Sequence, residues 1–439
     1  MKIRMGACAI CLMASFSMAP QFAQAQVKSG TRRRVASAQE QALYDLLVKA
    51  KGEADGRNYA AAEADYVKYL AQKPDDAVAH FDLGYVYTAE HQTDKAIAEY
   101  RKAIVLDPKM MAAHLNLGMS LLTEDPKEAI APLQKVVEMN YAFERGHFAL
   151  GVAEERSGST AAAQKEYTVA VRLDPNDAEA HAALGRLLLA ESKGSAAETE
   201  FRELLRLKPN DPEGELGLAQ SLVLQKRAAD AAAALGNYLK ANPADAKAQV
   251  MEAALLFQLG KNDDALAALD RAAKHGPETL DALKLRSEIY FTKRDWAKAA
   301  AVLRKAELLA PQDAVIHARL GHVLLETQDY ANAAQELVRS LQLDASSTDT
   351  LRDLISAEYL GKNFTGALAA LDLLAKRVSL NAGAWFVRGS CYDHLNEPKA
   401  ALDAYNKFLA MNTNRNSDQY FEAAARARFL AHQLKQKGH

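Results

Sequence analysis

A small residue recurs at a fixed interval along almost the whole chain, and this interval strongly limits the possible folds. Gly84, Gly118, Gly151, Gly185 and Gly321 stand in apolar stretches and are separated by 34, 33, 34 and 136 residues, the last step being four times 34. Extending the interval in both directions gives the equivalent positions Ala50, Ala219, Ala253, Ser287, Ile355 and Gly389. A period of this length is typical of proteins in which identical structural units stack on their neighbours.

Two more positions repeat with the same period. Twelve residues after each small site, allowing for one residue lost near Asp125-Pro126, all eleven repeats carry an alanine: Ala62, Ala96, Ala129, Ala163, Ala197, Ala231, Ala265, Ala299, Ala333, Ala367 and Ala401. Four residues later the chain places a large apolar residue: Tyr66, Tyr100, Leu133, Tyr167, Phe201, Leu235, Leu269, Leu303, Leu337, Leu371 and Tyr405. Because residues four apart share one helical face, this pattern predicts pairs of closely packed helices.

The boundaries of these helices are marked by prolines and capping residues. Prolines stand at positions 74, 108, 175, 209, 243, 277 and 311, on the same period. A residue that caps helix N-termini follows two positions later in most repeats: Asp76, Asp177, Asp211, Asp245, Thr279, Asp313, Ser347 and Asn381. Proline ends one helix, and the capping side chain accepts hydrogen bonds at the start of the next. Each unit is therefore predicted to be a helix, a turn, a second helix and a capped turn.

The repeat resembles the tetratricopeptide repeat family. Repeat two carries the motif as His80, Leu83, Gly84, Tyr87, Ala96, Tyr100, Ala103 and Pro108. The resemblance extends from Leu43 to Arg415 and implies an all-α, right-handed α-solenoid of about eleven 34-residue repeats. The chain departs from the family in three respects. The usual Trp of the fourth position occurs only as Trp385, repeats three, nine, ten and eleven lack the closing proline, and Ile355 occupies a small site.

The two ends of the chain differ from the repeats. Residues 1–25 combine a basic start at Lys2 and Arg4, an apolar run and a small-x-small site ending at Ala25, a pattern typical of a cleaved signal peptide. The alternative, an uncleaved anchor, would need a longer apolar run to span a bilayer. Residues 26–42 are predicted to be a flexible lead, and residues 416–439 a C-terminal capping helix from Asp418 to about Gln436. The protein is therefore expected to be exported to the periplasm or the extracellular space.

The sequence predicts no catalysis, no cofactor and no metal site. The signal segment, lead, repeats and cap account for all 439 residues, which leaves no independent catalytic domain. Five histidines occupy the fourth position of their repeats: His80, His114, His147, His181 and His317. Equivalent residues of stacked repeats lie about 10 Å apart, too far to share one metal ion. We interpret them as packing residues rather than a metal site or proton relay, and Cys391 likewise as a buried packing residue.

Resemblance to the family implies that the first helix of each repeat lines a concave groove. The groove positions of repeats two to five include Val78, Phe81, Tyr85, Leu115, Met119, Phe148, Val152 and Arg186. The apolar members could accept a peptide or helix of a partner. Alternatively, neighbouring repeats or the chain's own N-terminal lead cover them. In later repeats, beginning with Glu179 and Arg186, these positions carry charges of both signs and predict a polar surface.

The function predicted from these features is a non-catalytic protein–protein interaction scaffold in the cell envelope. The partner is an unidentified protein or peptide, within an envelope complex, and the mature chain has no integral membrane segment. Nucleic acid is not expected, because 54 Lys and Arg balance 56 Asp and Glu. The alternative is a glycan-binding accessory subunit of an exopolysaccharide or envelope assembly machine. Its support is Tyr85, Tyr290, Tyr359 and Tyr392, two of which occupy a position that the family buries.

Overall fold

The computed structural model describes residues 38–436. Within this range the chain forms twenty-three α-helices and no strand. The described residues divide into two compact units, one ending at Glu124 and the other beginning at Asp125. The predicted signal segment and most of the predicted lead lie outside the described residues. None of the helices between Ala38 and Gln436 combines the length and apolar character needed to span a membrane.

Unit one contains five helices in which each helix packs against the next. They are α1 (Ala38–Asp55), α2 (Tyr59–Leu70), α3 (Ala77–Ala89), α4 (Thr93–Leu106) and α5 (Met111–Glu124). The odd-numbered helices also contact one another, α1 with α3 and α3 with α5. Such contacts between every second helix are what stacked helical hairpins produce.

Unit two continues the same alternation over eighteen helices. They are α6 (Pro126–Met139), α7 (Glu144–Ser157), α8 (Thr160–Leu173), α9 (Ala178–Ala190), α10 (Gly194–Leu207), α11 (Pro212–Leu224), α12 (Ala228–Ala241), α13 (Ala246–Gln258), α14 (Asn262–His275), α15 (Leu280–Thr292), α16 (Trp296–Leu309), α17 (Ala314–Glu326), α18 (Tyr330–Leu343), α19 (Thr348–Leu360), α20 (Phe364–Ala375), α21 (Ala382–His394), α22 (Pro398–Met411) and α23 (Asp418–Gln436). Each of the two units is a stretch of α-solenoid, as predicted.

The repeated alanines and the large residues that follow them form the core of both units. All eleven alanines are 0% exposed, and no large apolar residue four positions later exceeds 2%. The small side chains let two helices approach closely, and the large side chains fill the remaining space between them. The sequence prediction of paired helices is confirmed.

The helix starts are also confirmed. All eight predicted capping residues precede a helix, and the side chain of each accepts a hydrogen bond from a backbone amide of the first turn. The C-terminal helix α23 has the predicted bounds, Asp418–Gln436. Its buried residues Ala423, Ala427 and Leu430 pack on Phe386, Tyr405 and Phe408, so it covers the last hairpin.

Three details differ from the sequence analysis or extend it. Helix α1 begins at Ala38, inside the segment interpreted as a lead. Repeat three is divided between the units, since α5 ends at Glu124 and α6 follows the capping residue Asp125. The count of eleven repeats therefore remains a prediction. Ile355, which breaks the small-residue pattern, is only 7% exposed and packs in a cluster with Leu371.

Candidate functional site

Unit one carries an apolar surface on its odd-numbered helices, and five of the predicted groove residues lie on it. On α3, Val78 is 56% exposed and Tyr85 is 42% exposed, while Phe81 between them is half-buried. On α5, Leu115 and Met119 are half-buried. We call Val78, Phe81, Tyr85, Leu115 and Met119 the N-terminal apolar face. Exposed and half-buried apolar side chains on two helices in contact can bury area against a partner.

Tyr100 lies beneath this face and is held by several contacts. The ring of Phe81 lies 5.8 Å from that of Tyr100, centroid to centroid. The Tyr100 hydroxyl lies 2.9 Å from Thr88 Oγ1 and accepts a hydrogen bond from Asn116 Nδ2 at 3.4 Å. Burial raises the pKa of Tyr100 to about 12. Phe81 packs on a tyrosine that is itself held in place. A substitution of Phe81 would therefore disturb the core as well as the surface, which makes it unsuitable for a binding test.

One titratable group lies beside the apolar side chains. Asp82 of α3 is half-buried and accepts a hydrogen bond from the Tyr66 hydroxyl at 3.3 Å. Burial raises the pKa of Asp82 to about 6, and the nearby Lys51 opposes this shift. At neutral pH the carboxylate is therefore ionised but poorly solvated, so it favours a basic or hydrogen-bond-donating group on a bound segment.

Two exposed apolar residues of α1 were not among the predicted groove residues. Tyr44 is 63% exposed and Val48 is 52% exposed, and α1 contacts α3. Tyr44 occupies the same repeat position as Val78, the second, so the 34-residue period contained the information. The prediction considered only repeats two to five for this surface, which left repeat one out.

The other three predicted residues belong to unit two. Phe148 and Val152 are half-buried and pack against the core cluster of α8 to α10, with Phe148 also 5.7 Å from Tyr167 between ring centroids. Arg186 of α9 forms an ion pair with Glu213 of α11. Phe148 and Val152 therefore take part in packing, and the Arg186 charge has a partner within the protein.

The charged positions of unit two are linked to one another from repeat to repeat. Glu288 of α15 pairs with Arg319 of α17 at 3.5 Å, and His322 of α17 hydrogen-bonds to Asp353 of α19 at 2.8 Å. Both links join the ninth position of one repeat to the sixth of the next. Farther along, Asp393 accepts two hydrogen bonds from the Arg426 guanidinium, at 2.6 and 2.7 Å. Several charges of the predicted polar surface are thus paired with charges of the neighbouring repeat or, at the end of the chain, of α23.

The four tyrosines considered for glycan binding differ in exposure. Tyr85 is exposed, whereas Tyr290, Tyr359 and Tyr392 are half-buried. The Tyr359 hydroxyl lies 2.9 Å from the Ser390 Oγ atom of the next repeat. Three of the four rings therefore offer limited area for stacking on a sugar.

The five repeat histidines share one arrangement. Each is buried, and its Nε2 lies 3.0–3.2 Å from the backbone carbonyl oxygen six residues earlier. In four of them Nδ1 contacts a glutamate nineteen residues later: His80 with Glu99, His147 with Glu166, His181 with Glu200 and His317 with Glu336. His114 has no such partner and its buried Nδ1 is unpaired. Four of the five histidines therefore link the turn before their helix to the second helix of the repeat, and His114 contacts the turn alone.

Among the described residues, one group combines side chains that could hold a metal ion. Glu307 of α16, His317 of α17 and Glu336 of α18 each offer one ligand atom, and these atoms lie within 4.8 Å of one another. Cys391 is fully buried, and burial raises the pKa of its thiol to about 11, which keeps it protonated and unreactive at neutral pH.

Several solved structures of helical repeat proteins are similar to this chain. A MamA structure from Desulfovibrio magneticus RS-1 is 19% identical, with 38% of this chain and 94% of that chain covered and a TM-score of 0.37. YrrB, described as a tetratricopeptide repeat protein with an unusual peptide-binding site, is 18% identical over 50% of this chain and 96% of its own, with a TM-score of 0.35. Yeast Tom70 is 13% identical over 90% of this chain and 97% of its own, with a TM-score of 0.32.

A family model described as tetratricopeptide repeat matches six segments, which together span well over half of the chain. The segments are residues 47–110, 116–178, 148–212, 182–246, 250–314 and 353–418. Proteins built from these repeats bind protein or peptide partners, and the family in general is a non-catalytic interaction scaffold. Together with the repeated alanine and capping positions, this match shows that the chain belongs to the tetratricopeptide repeat family.

Proposed function

We propose that the protein is a non-catalytic scaffold of the cell envelope that binds an apolar segment of a partner protein along the N-terminal apolar face. The observation that carries the proposal is the exposure of Val78 and Tyr85 beside half-buried Phe81. Burying an exposed aliphatic or aromatic side chain against a partner contributes about 1.5–3 kcal/mol. Tyrosine is also enriched among the residues that dominate binding energy in protein interfaces.

The N-terminal apolar face favours a partner segment that carries apolar residues and, close to them, a hydrogen-bond donor. Leu115 and Met119 extend the face onto α5, and methionine adapts its shape to different apolar ligands. Asp82 supplies a carboxylate at the edge of the same helix. An apolar peptide or helix that carries a lysine, an arginine or a free backbone amide would satisfy both features.

The binding test compares two double variants at exposed apolar positions. Val78→Asp with Tyr85→Asp alters the face, and Val105→Asp with Leu106→Asp serves as the control on α4, where the side chains are 79% and 40% exposed. Partners are captured from the native host, identified by mass spectrometry, purified and titrated calorimetrically. We expect the first variant to weaken binding at least tenfold and the control to retain wild-type affinity. Equal affinities for all three proteins would refute this site.

A truncation tests whether the chain covers its own binding face. A protein that begins at Ala38 lacks residues 26–37 of the predicted lead but keeps all of α1. If the lead occupies the face, this protein binds the partner more tightly than the protein beginning at residue 26.

The predicted export is tested separately by mass spectrometry of the protein from the native host. A protein whose N-terminal residue is Gln26 supports the envelope location. A protein that still begins at Met1 contradicts it.

A further inference from the structure

The group of Glu307, His317 and Glu336 differs from the other histidine–glutamate pairs of the chain. In the repeats of His80, His147 and His181, a single carboxylate lies in direct contact with the buried imidazole. At His317 a second carboxylate, from Glu307 on the preceding helix, joins the pair. His317 is 3% exposed, Glu307 is half-buried, and the Glu336 side chain is 23% exposed.

The other repeats that contain the buried histidine, here called the sibling repeats, carry an aliphatic residue at the position of Glu307. Ten residues before the repeat histidine, the other four histidine-containing repeats carry Leu70, Ile104, Val137 and Val171. These side chains are buried or half-buried. Replacing an aliphatic side chain by a carboxylate at such a position costs desolvation energy unless a cation compensates the charge.

No basic side chain supplies that compensation. Within residues 38–436, neither Glu307 nor Glu336 has a Lys or Arg in ion-pair distance. The nearby Lys305 pairs with Glu278 at 3.6 Å, and Arg339 hydrogen-bonds to glutamine side chains. A proton on His317 Nδ1 would offset only one of the two carboxylates. The cluster therefore keeps a net negative charge of about one unit in its half-buried position.

The hydrogen bonds of His317 present a ligand atom to the cluster. Its Nε2 donates to the Pro311 carbonyl oxygen at 3.1 Å, and a proton on Nδ1 donates to Glu336 Oε2 at 2.7 Å. A metal ion would replace this second proton and meet the Nδ1 lone pair between the carboxylates. A ring N–H donated to a backbone carbonyl is the usual outer-shell contact of a metal-bound histidine. Imidazole suits zinc and related transition metals, whereas Mg²⁺ and Ca²⁺ prefer all-oxygen sites.

We propose that Glu307, His317 and Glu336 bind one divalent transition-metal ion of the zinc type. The ligands are His317 Nδ1 and one carboxylate oxygen from each glutamate. Tetrahedral zinc holds such atoms roughly 3.3 Å apart, which small side-chain rotations reach from the present separations. The fourth position takes water from the solvent-accessible side of Glu336. Because the ligands come from α16, α17 and α18, the ion joins three consecutive helices and stabilises the repeats of His317 and its predecessor.

The test uses the purified full-length protein with ZnCl₂, measured by calorimetry at pH 7, and with CoCl₂, whose visible spectrum reports tetrahedral coordination. We expect saturable binding of one ion that raises the unfolding temperature. Glu307→Leu restores the side chain of the sibling repeats and should reduce the affinity at least tenfold while the metal-free protein stays folded. Glu336→Gln should act in the same direction.

Glu166→Gln is the matched control, because it alters a histidine–glutamate pair that lacks the second carboxylate. It should leave the zinc affinity unchanged. The proposal is overturned if the wild type shows no saturable zinc binding with a dissociation constant below about 100 μM. It is also overturned if Glu307→Leu binds zinc as tightly as the wild type. Neither result depends on the proposed partner binding, because the metal ligands belong to unit two and the N-terminal apolar face belongs to unit one.

Discussion

A Cβ atom added to Gly84 would lie 2.7 Å from Cε1 of Tyr100. The glycine thus leaves the space that the tyrosine ring of the second helix fills. The same relationship joins Gly151 to Tyr167, Gly185 to Phe201 and Gly389 to Tyr405. Where the small site is alanine, as in Ala219 and Ala253, the core position holds the smaller Leu235 or Leu269. The two positions are therefore matched in volume in several repeats. The exceptions are Ala50 with Tyr66, Gly118 with Leu133, Gly321 with Leu337 and Ile355 with Leu371.

This matching predicts that Gly84→Ala destabilises unit one. An alanine is normally better than glycine in a helix by about 1 kcal/mol. Here Tyr100 is 0% exposed and its hydroxyl is held by Thr88 and Asn116, so the ring cannot move away. Overpacking of this kind costs about 1–3 kcal/mol. Hydrogen exchange of the α3 and α4 amides, which measures local opening, should become faster.

Gly236→Ala is the control for this experiment. Gly236 lies within α12, and an added Cβ would have no atom within 4 Å. It should therefore slow exchange in α12 by a factor that corresponds to about 0.5–1 kcal/mol. Slower exchange in both variants would show that Tyr100 adjusts without cost.

Most of the helical framework could be predicted from the sequence because it depends on local patterns. Alanine twelve residues after the small site and a capping residue after the proline act within a single hairpin, and one chain shows the pattern many times. The turn inside each hairpin was less apparent. In ten repeats, one residue of this turn has a left-handed φ. Only two of these ten residues, Gly158 and Gly260, are glycines. The short turn imposes the conformation whatever the side chain, so composition carries little information about it.

The surface could not be predicted to the same extent. Arg186 was expected in a binding groove, but Glu213 lies close enough to pair with it. Such pairs depend on the offset between stacked repeats, which the interval of 34 residues does not give. Likewise, the glutamate opposite each repeat histidine lies on the second helix, nineteen residues away. The sequence shows this spacing only after the hairpin geometry is known.

Arg426→Met is predicted to loosen the terminal helix α23. The guanidinium of Arg426 donates two hydrogen bonds to Asp393 of α21. The arginine side chain is 42% exposed, so solvent screening limits the contribution of the pair to about 1 kcal/mol. Limited proteolysis should cut α23 faster in the variant. Arg428→Met provides the control, because Arg428 contacts only the Ala424 carbonyl of its own helix. Equal cleavage rates for both variants would contradict a role of the ion pair.

His181 should make unit two less stable in alkaline solution. Its hydrogen bond to Glu200 raises the pKa above the ordinary 6.5, against the effect of burial, and Glu203 adds to the rise. The charged pair therefore stabilises the fold fully below pH 6.5, and this contribution is lost as pH rises through the raised pKa. The imidazole signals in an NMR titration should report that pKa directly.

His181→Gln removes this dependence and keeps the packing. The chain already uses glutamine at the equivalent position, where Gln249 Nε2 donates to the Pro243 carbonyl at 2.6 Å. At pH 6 the variant should be less stable than the wild type by about 1.5–3 kcal/mol, the contribution of a hydrogen bond to a charged group. At pH 8.5 the difference should shrink. Parallel stability curves for the two proteins would show that His181 does not titrate in this range.

Glu144 should also make the fold less stable as pH rises, but for a different reason: its charged form is destabilising, because the carboxyl group is partly buried with little compensation. Burial, followed by the neighbouring carboxylate of Asp177, raises its pKa from 4.5 to about 8. Its Oε1 atom is buried and accepts no hydrogen bond. Between pH 4.5 and about 8, the folded protein holds a proton that the unfolded chain has released. The free energy of unfolding therefore falls as pH rises through this interval and is level above it.

Glu144→Gln tests this relation because the amide resembles the protonated acid and does not titrate. The variant should match the wild type in thermal stability near pH 4.5 and exceed it at pH 8.5. Hydrogen exchange in α7 and α9 at the two pH values, corrected for intrinsic rates, should locate the gain where Glu144 and Asp177 lie. If the wild type and the variant instead lose stability equally between these pH values, Glu144 is ionised in the folded protein. The carboxylate would then have to be solvated, which its burial argues against.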